Sequence, residues 1–429
     1  MIRNKKGSSM VLLSMVFVTF AMCIASTIAI SRKLVIKSEC EAFGLVWTRA
    51  VLGEYDINLL RDYGIQAYWG LDCDVEKKLN HYSDYSLNGK MSIDNVDIIV
   101  DLMNSELSNP DNFRTAVKKS GLTAAAGTLM NDKRRILIKD VDDDRWGHRI
   151  IRNKGVIASL PSKGIKNKFD VELIKNSIKN IKDKDDITGI FSSCAHDLAF
   201  MYRYMGSHNE RLAGKETLLR NEWEYVVTGS YDDNGNYKAA KNKIRLIRNA
   251  MNLIYLYSNP EKRELITATS EAITPGPAAA ATAILISEAW ALIETEYDMD
   301  TLENNGRVPV MKNEHTWKTS LKSALKSEKV RDALDEEGKK LLGKNLNDID
   351  EEGSSATGSV KAGLTYENYL MILAASLDRN IRTLRIMDIV TINMKYRHYE
   401  DFNMDEYHTS IDYSIKADGK QYEFDDEYK

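Results

Sequence analysis

Proline and cysteine are scarce in this chain, with six and four residues respectively in 429. So few prolines point to long helices and away from a loop-rich β architecture. Four cysteines, one of them inside an apolar N-terminal run, cannot build a disulfide scaffold, and their spacing fits reduced, scattered thiols. Recognisable catalytic signatures are missing too: no Gly-rich phosphate loop, nucleophile elbow, HExxH or kinase motif occurs. Nor is there a basic excess, because 59 Lys+Arg stand against 63 Asp+Glu for a net charge of −4. Residues 1–40 hold six bases and one acid, a net of +5, so the other 389 residues carry −9. A body that acidic lacks the basic surface that phosphates require, and nucleic acid is not an expected partner. The 43% apolar content is ample for a folded core, which excludes collagen-like and wholly disordered readings.

What is present is one long apolar run. Residues 10–30, MVLLSMVFVTFAMCIASTIAI, form 21 positions without a charge, enough as a helix to span a hydrocarbon core of roughly 30 Å. Arg3, Lys5 and Lys6 precede the run and no acid does, so the positive-inside rule places the N-terminus in the cytoplasm and residues 31–429 outside. A cleaved secretory signal would have a shorter apolar core. A lipoprotein anchor on Cys23 would want small residues just before it, where Ala21-Met22 stands. A prepilin-like leader ending at Lys6-Gly7 would place Leu12 where pilins carry a glutamate. An uncleaved single-pass anchor in the cell membrane is the expectation, with the lipid bilayer as first partner. Ala21, Ala25 and Ala29 make a small-xxx-small ladder that would permit close helix packing in lipid.

The fold class expected is mainly α with minor β. A basic leader (1–9) and the transmembrane helix (10–30) are followed by a helical stalk (31–70), with Gly44 and Gly53 as its weak points. A mixed polar region follows (71–170), in which 93–107 reads as a helix or a strand–helix pair and 133–170 as a flexible insertion. A helical core (171–344) is predicted near 170–182, 191–205, 213–228, 237–257, 261–273, 278–296 and 316–342. A linker (345–363) leads to a long helix over 364–395 and an acidic C-terminal hairpin, suggested by alternating Ile411, Tyr413, Ile415, Tyr422 and Phe424. The Ala-rich stretch 277–293 reads as a buried soluble helix.

Candidate chemistry is sparse, and no catalytic, cofactor or metal residue is assigned. Asp140, Asp142, Asp143 and Asp144 cluster carboxylates, but Arg145 and Ile151 stand where a calcium loop needs Gly and Glu. Asp348 to Gly353 has the glycine and lacks the final glutamate. Cys194, His196 and His208 are zinc-capable without a second pair to close a site. Glu222, Glu224 and Glu288 sit among apolar and aromatic residues, which would raise a carboxyl pKa and could mimic an acid–base pair. Pairing of Glu224 with Arg245 or Arg248 explains them as a structural tie between central helices.

Several blocks carry a family resemblance: GSSMVLLSMVFV, then RAVLGEYDINLLRDYGIQAY, NEWEYVVTGSYDDNGNYKAAKNKIRLIRNAMNLIYLYSNPEKRE, ILISEAWALIETEYDMDTLENNGRVPVMK and GLTYENYLMILAASLDRNIRTLRIMDIVTINM. The chain resembles uncharacterised membrane-anchored Gram-positive proteins associated with Tad-type (type IVc) pilus or secretion loci, loosely comparable to TadE/TadG-like pseudopilins. That resemblance implies a non-catalytic, extracytoplasmic assembly component whose partners are other pilin-like or secretion-platform membrane proteins. Two other classes stand beside it: a membrane-tethered enzyme using buried carboxylates, and a surface adhesin or ligand-binding module.

Overall fold

The charge-free N-terminal run opens one unbroken 47-residue helix, α1 (Lys6–Leu52), about 70 Å long at 1.5 Å per residue. The structure is a computed structural model that describes residues 6–87, 93, 96–129, 135–137, 151, 154–166, 169, 194–334, 336–348 and 363–428. The described helices after α1 are α2 (Ile57–Tyr63), α3 (Asp72–Ser86), α4 (Pro110–Leu129), α5 (Lys154–Ala158), α6 (Ala195–Tyr204), α7 (Glu222–Thr228), α8 (Asp233–Ser258), α9 (Pro260–Ile273), α10 (Ala279–Glu303), α11 (Leu321–Leu325), α12 (Glu328–Ala333), α13 (Glu336–Asp348), α14 (Tyr366–Ser376) and α15 (Arg379–Arg397). Strands β1 (Tyr68–Trp69), β2 (Asp97–Val100), β3 (Arg135–Leu137), β4 (Glu210–Leu212), β5 (Tyr407–His408), β6 (Ser410–Ala417) and β7 (Lys420–Glu427) form small antiparallel sheets ordered β1-β5, β2-β6-β7 and β3-β4. The fold is thus mainly helical, with a long apolar N-terminal helix and a small C-terminal antiparallel sheet.

Two units divide the chain. The first joins Met1–Ala116 to Asn403–Lys429, and the second is Val117–Phe402. In the first unit the character of α1 changes along its length. Its apolar residues from Met10 to Ile30 are exposed, whereas Ile36, Cys40, Trp47 and Val51 are buried. Those four recur at helical spacing and pack with Ile98, Ile411, Tyr413, Ile415 and Phe424 of the three-stranded sheet. Gly44 does not interrupt the helix. Its missing side chain makes room for the Phe424 ring, which a Cβ there would overlap. Gly53, by contrast, lies just past the helix end, and Asp56 starts α2 by accepting from the backbone N–H groups of Asn58 and Leu59 at 2.8 Å.

The expected C-terminal hairpin is present: β6 and β7 meet at an Asp418-Gly419 turn, both residues with positive φ (50° and 73°). What the pattern did not reveal is its third strand. β2, from the stretch read as a helix or strand–helix pair, pairs with β6 across more than 300 residues of sequence, in a register that sets Val100 opposite Tyr413.

In the second unit α8, α9 and α10 pack together, and the residues after Trp317 fold over them. The Ala-rich stretch 277–293 supplies the N-terminal part of α10, where Ile286, Ala289, Trp290 and Ala291 are buried in that core. Trp290 meets Trp317 edge-on with ring centroids 5.6 Å apart, and both indole N–H groups donate to Thr319. Two helices expected as continuous are broken. The 316–342 helix is three short ones, and the 364–395 helix splits at Asp378, whose carboxylate caps α15 by accepting from Asn380 and Ile381 N–H. The 213–228 helix begins only at Glu222, because 213–221 forms a loop after β4. The expected helix at 170–182 and the Asp140–Asp144 cluster lie outside the described residues, as does most of the expected insertion and linker.

Candidate functional site

The block NEWEYVVTG forms α7, a seven-residue helix in which Glu222, Trp223, Glu224, Tyr225, Val226 and Val227 are all buried. Buried carboxyls must find hydrogen-bond donors, and α7 finds them in the preceding loop and in two later helices. Glu222 accepts from Gly206 N–H at 2.7 Å and from the Asn393 side-chain amide at 2.6 Å. Glu224 accepts from His208 N–H at 2.9 Å and from the Tyr366 hydroxyl at 3.0 Å. Asp233, at the start of α8, holds the loop before α7 by accepting from Asn221 N–H at 2.8 Å and Arg220 N–H at 3.1 Å.

No cation pairs with Glu224 among the described residues, and its second oxygen, Oε2, has no hydrogen-bond partner there. Burial therefore pushes its carboxyl up to about 8, against the lowering effect of its donors. Burial raises Glu222 and Asp233 in the same direction. His208, whose ring stacks on Tyr237 at 3.7 Å, is lowered to about 4, first by burial and then by Arg220. Three carboxyls and an imidazole are thus all biased toward their neutral forms.

Glu222 also borders an open cleft of about 980 Å³ lined by Gly206, residues 211–217, Arg220 and the C-terminal end of α15 at Tyr396, Arg397 and His398. Its lining carries Arg211, Lys215, Arg220 and Arg397 against only two acids, Glu216 and Glu222.

The ion pairs expected for Glu224 are replaced. Arg248 is fully buried and pairs with Asp298 at 2.8 Å, while Arg245 pairs with Glu296 at 2.7 Å. Arg248 further donates to the carbonyls of Pro309 and Val310 and to the Tyr369 hydroxyl. Lys312 binds both Glu294 at 2.5 Å and Asp298 at 2.6 Å. Arg248, Lys312, Glu294 and Asp298 make a charge-balanced buried quartet that pins the 304–320 loop to α8 and α10. The tie between central helices exists, but its acids are on α10. Their signal in the sequence was the i, i+4 pairing of Arg248 with Asn252 and of Glu294 with Asp298, polar residues repeating on buried helix faces.

Glu288, the third carboxyl of interest, is half-buried on α10 and stands apart from the α7 cluster. Asp388, expected only as a core contact, accepts from Ser162 and from the Tyr225 hydroxyl at 2.9 Å, and burial raises it to about 6. Asp197 pairs with Arg382 at 2.9 Å. The four cysteines are free, and no metal-holding group of three or more His, Cys, Asp or Glu occurs among the described residues.

In the first unit, Ala21, Ala25 and Ala29 are exposed on α1. This is also the one helix, among the described residues, long and apolar enough to cross a membrane. Its N-terminal place suits a signal anchor or a signal sequence.

Residues 149–419, well over half of the chain, match the family described as "Family of unknown function (DUF5702)", and the chain belongs to it. Neither a curated protein nor a solved structure matches.

Proposed function

We propose that this member of the DUF5702 family is a membrane-anchored, extracytoplasmic assembly component of a Tad-like pilus or secretion system, working through contacts and not catalysis. The observation that carries the reading is the two-part character of α1. One half is a bare apolar rod, and the other is the spine on which a small antiparallel sheet is packed. In this reading the exposed half lies in the bilayer or against other anchors, and the sheet-bearing half holds the folded body outside. The second unit would be what partners meet.

The test is crosslinking in intact membranes from single cysteines placed at Ala21, Ala25 and Ala29, with mass spectrometry of what is captured. Capture of pilin-like or secretion-platform proteins supports the assembly role. Capture of lipid alone, with the body still folded after protease release, overturns it.

A ligand-binding module is the second reading, favoured by the basic-rimmed cleft beside Glu222. If it holds, inorganic phosphate or citrate raises the melting temperature of the detergent-solubilised protein, and K215Q/R220Q removes that shift. No shift with any anion, at low salt, discards it.

A further inference from the structure

The β6–β7 turn reaches back toward the membrane end of α1. Ala25, Ile28, Ala29, Arg32 and Lys33 project from one helix face and, with Asp418, line a notch of about 410 Å³. Continued along α1, that face carries Ile36, Cys40 and Gly44 against the sheet. The turn therefore stands level with the last residues of the apolar run, and exposed Lys416, Asp418 and Lys420 come with it. Charged groups do not rest in hydrocarbon without strong compensation. The hydrocarbon boundary accordingly falls on the N-terminal side of Ala25, not at Ile30. Residues 7–24 remain as 18 uncharged positions, about 27 Å of helix and still sufficient to span.

The hairpin is also electrically polarised along its length. Lys416 and Lys420 flank the turn, whose Asp418 lies beside Arg32 and Lys33 of α1, while the far end sets Asp412 opposite Asp425 and adds Asp426, Glu427 and Asp101 around one recess. A basic end at the bilayer and an acidic end away from it is the orientation an anionic surface selects.

We propose that the notch between α1 and the β6–β7 turn seats the headgroup of an anionic phospholipid, Arg32, Lys33 and Lys420 facing its phosphate and Ala25, Ile28 and Ala29 its glycerol backbone. This rests on the membrane-anchored reading of α1. On this account Ala25 and Ala29 face the turn and its lipid, and of the alanine ladder only Ala21 lies in the hydrocarbon.

The test uses the full chain in vesicles of phosphatidylcholine, with or without phosphatidylglycerol. With Cys23 and Cys73 replaced by serine, a fluorophore is placed at Gln421→Cys beside the turn or at Asp425→Cys near the far end, and quenched by headgroup-nitroxide lipids. The expected result is severalfold stronger quenching at 421 than at 425. It should be stronger with nitroxide phosphatidylglycerol than with nitroxide phosphatidylcholine, and that preference should fall about fivefold in K420Q and change little in K416Q, whose side chain is on the other face of the hairpin. Equal quenching at both positions, with the protein still resisting alkaline extraction, overturns the seat and leaves the anchor standing. Quenching at 421 that ignores lipid charge overturns the anionic assignment. Release of the protein by alkaline extraction overturns the anchor, and the seat with it.

Discussion

The hydroxyl of Tyr413 donates to the backbone carbonyl of Gly44 at 2.6 Å, across 369 residues of sequence. Thr48 donates to the same carbonyl at 2.9 Å. Tyr413 stacks on Phe424 with ring centroids 5.2 Å apart, and the Phe424 ring fills the space that the side-chain-free Gly44 leaves open. One glycine on α1 is therefore the point where the C-terminal hairpin locks to the N-terminal helix.

Adding a methyl group at Gly44 forces the Phe424 ring to move or the helix to shift. We expect G44A to cost about 1–3 kcal/mol despite the better helix propensity of alanine. F424L on top of it should recover part of that loss. Thermal unfolding of the single and double variants measures this, and an unchanged or raised melting temperature for G44A would refute the lock.

The quartet around Arg248 is a second prediction. Removing one member of a buried, charge-balanced cluster leaves an uncompensated charge, at about 3–5 kcal/mol. R248A and D298A should each destabilise by amounts in that range, and R248K should rescue little because an ammonium cannot span Asp298, Asn252 and the two carbonyls together. Denaturant unfolding with a double-mutant cycle for Arg248 and Asp298 checks it. Independent, additive effects would argue against a coupled cluster.

Glu224 makes stability depend on pH. Its folded pKa of about 8 lies above the ordinary 4.5, so the folded state holds more protons than the unfolded one between those values. Stability is then lost as pH rises through that window. His208 works oppositely, because its folded value of about 4 lies below 6.5 and stability rises with pH between them. The two largely offset up to pH 6.5, which leaves Glu224 exposed as a fall from 6.5 to 8 of up to about 1 kcal/mol per pH unit. E224Q should flatten that segment in a pH series of melting temperatures, and a slope surviving in E224Q would assign it elsewhere.

The Asp418-Gly419 turn takes positive φ at both positions, a conformation that glycine adopts freely and that asparagine and aspartate tolerate better than other residues with a β-carbon. G419A should cost about 1 kcal/mol, whereas D418N should be tolerated. Proteolytic susceptibility of the hairpin, compared among the three forms, provides the measurement.

Much of this architecture was legible in the sequence because it depends on local periodicity. The apolar run, the helices that became α8, α9 and α10, and the alternation of β6 all announce themselves within a dozen residues. The α7 carboxyls were legible as buried groups for the same reason. Their partners were not. Pairing Glu224 with a nearby arginine is reasonable on charge alone, yet Arg248 is claimed by Asp298, 50 residues along the chain, and Glu224 is met by His208 N–H and the Tyr366 hydroxyl.

By itself the sequence determined that α1 would be a long helix, apolar enough over residues 10–30 to enter a bilayer, because hydropathy and helical spacing are properties of contiguous residues. Only the tertiary structure decided where along that helix the folded body begins. That boundary is set by a hairpin nearly 400 residues away, whose turn stands beside Ala25 to Lys33 because the rest of the sheet is already packed on Ile36, Cys40 and Gly44. Contacts between distant segments follow from shape, volume and the satisfaction of buried polar groups, and no local pattern of residues encodes those.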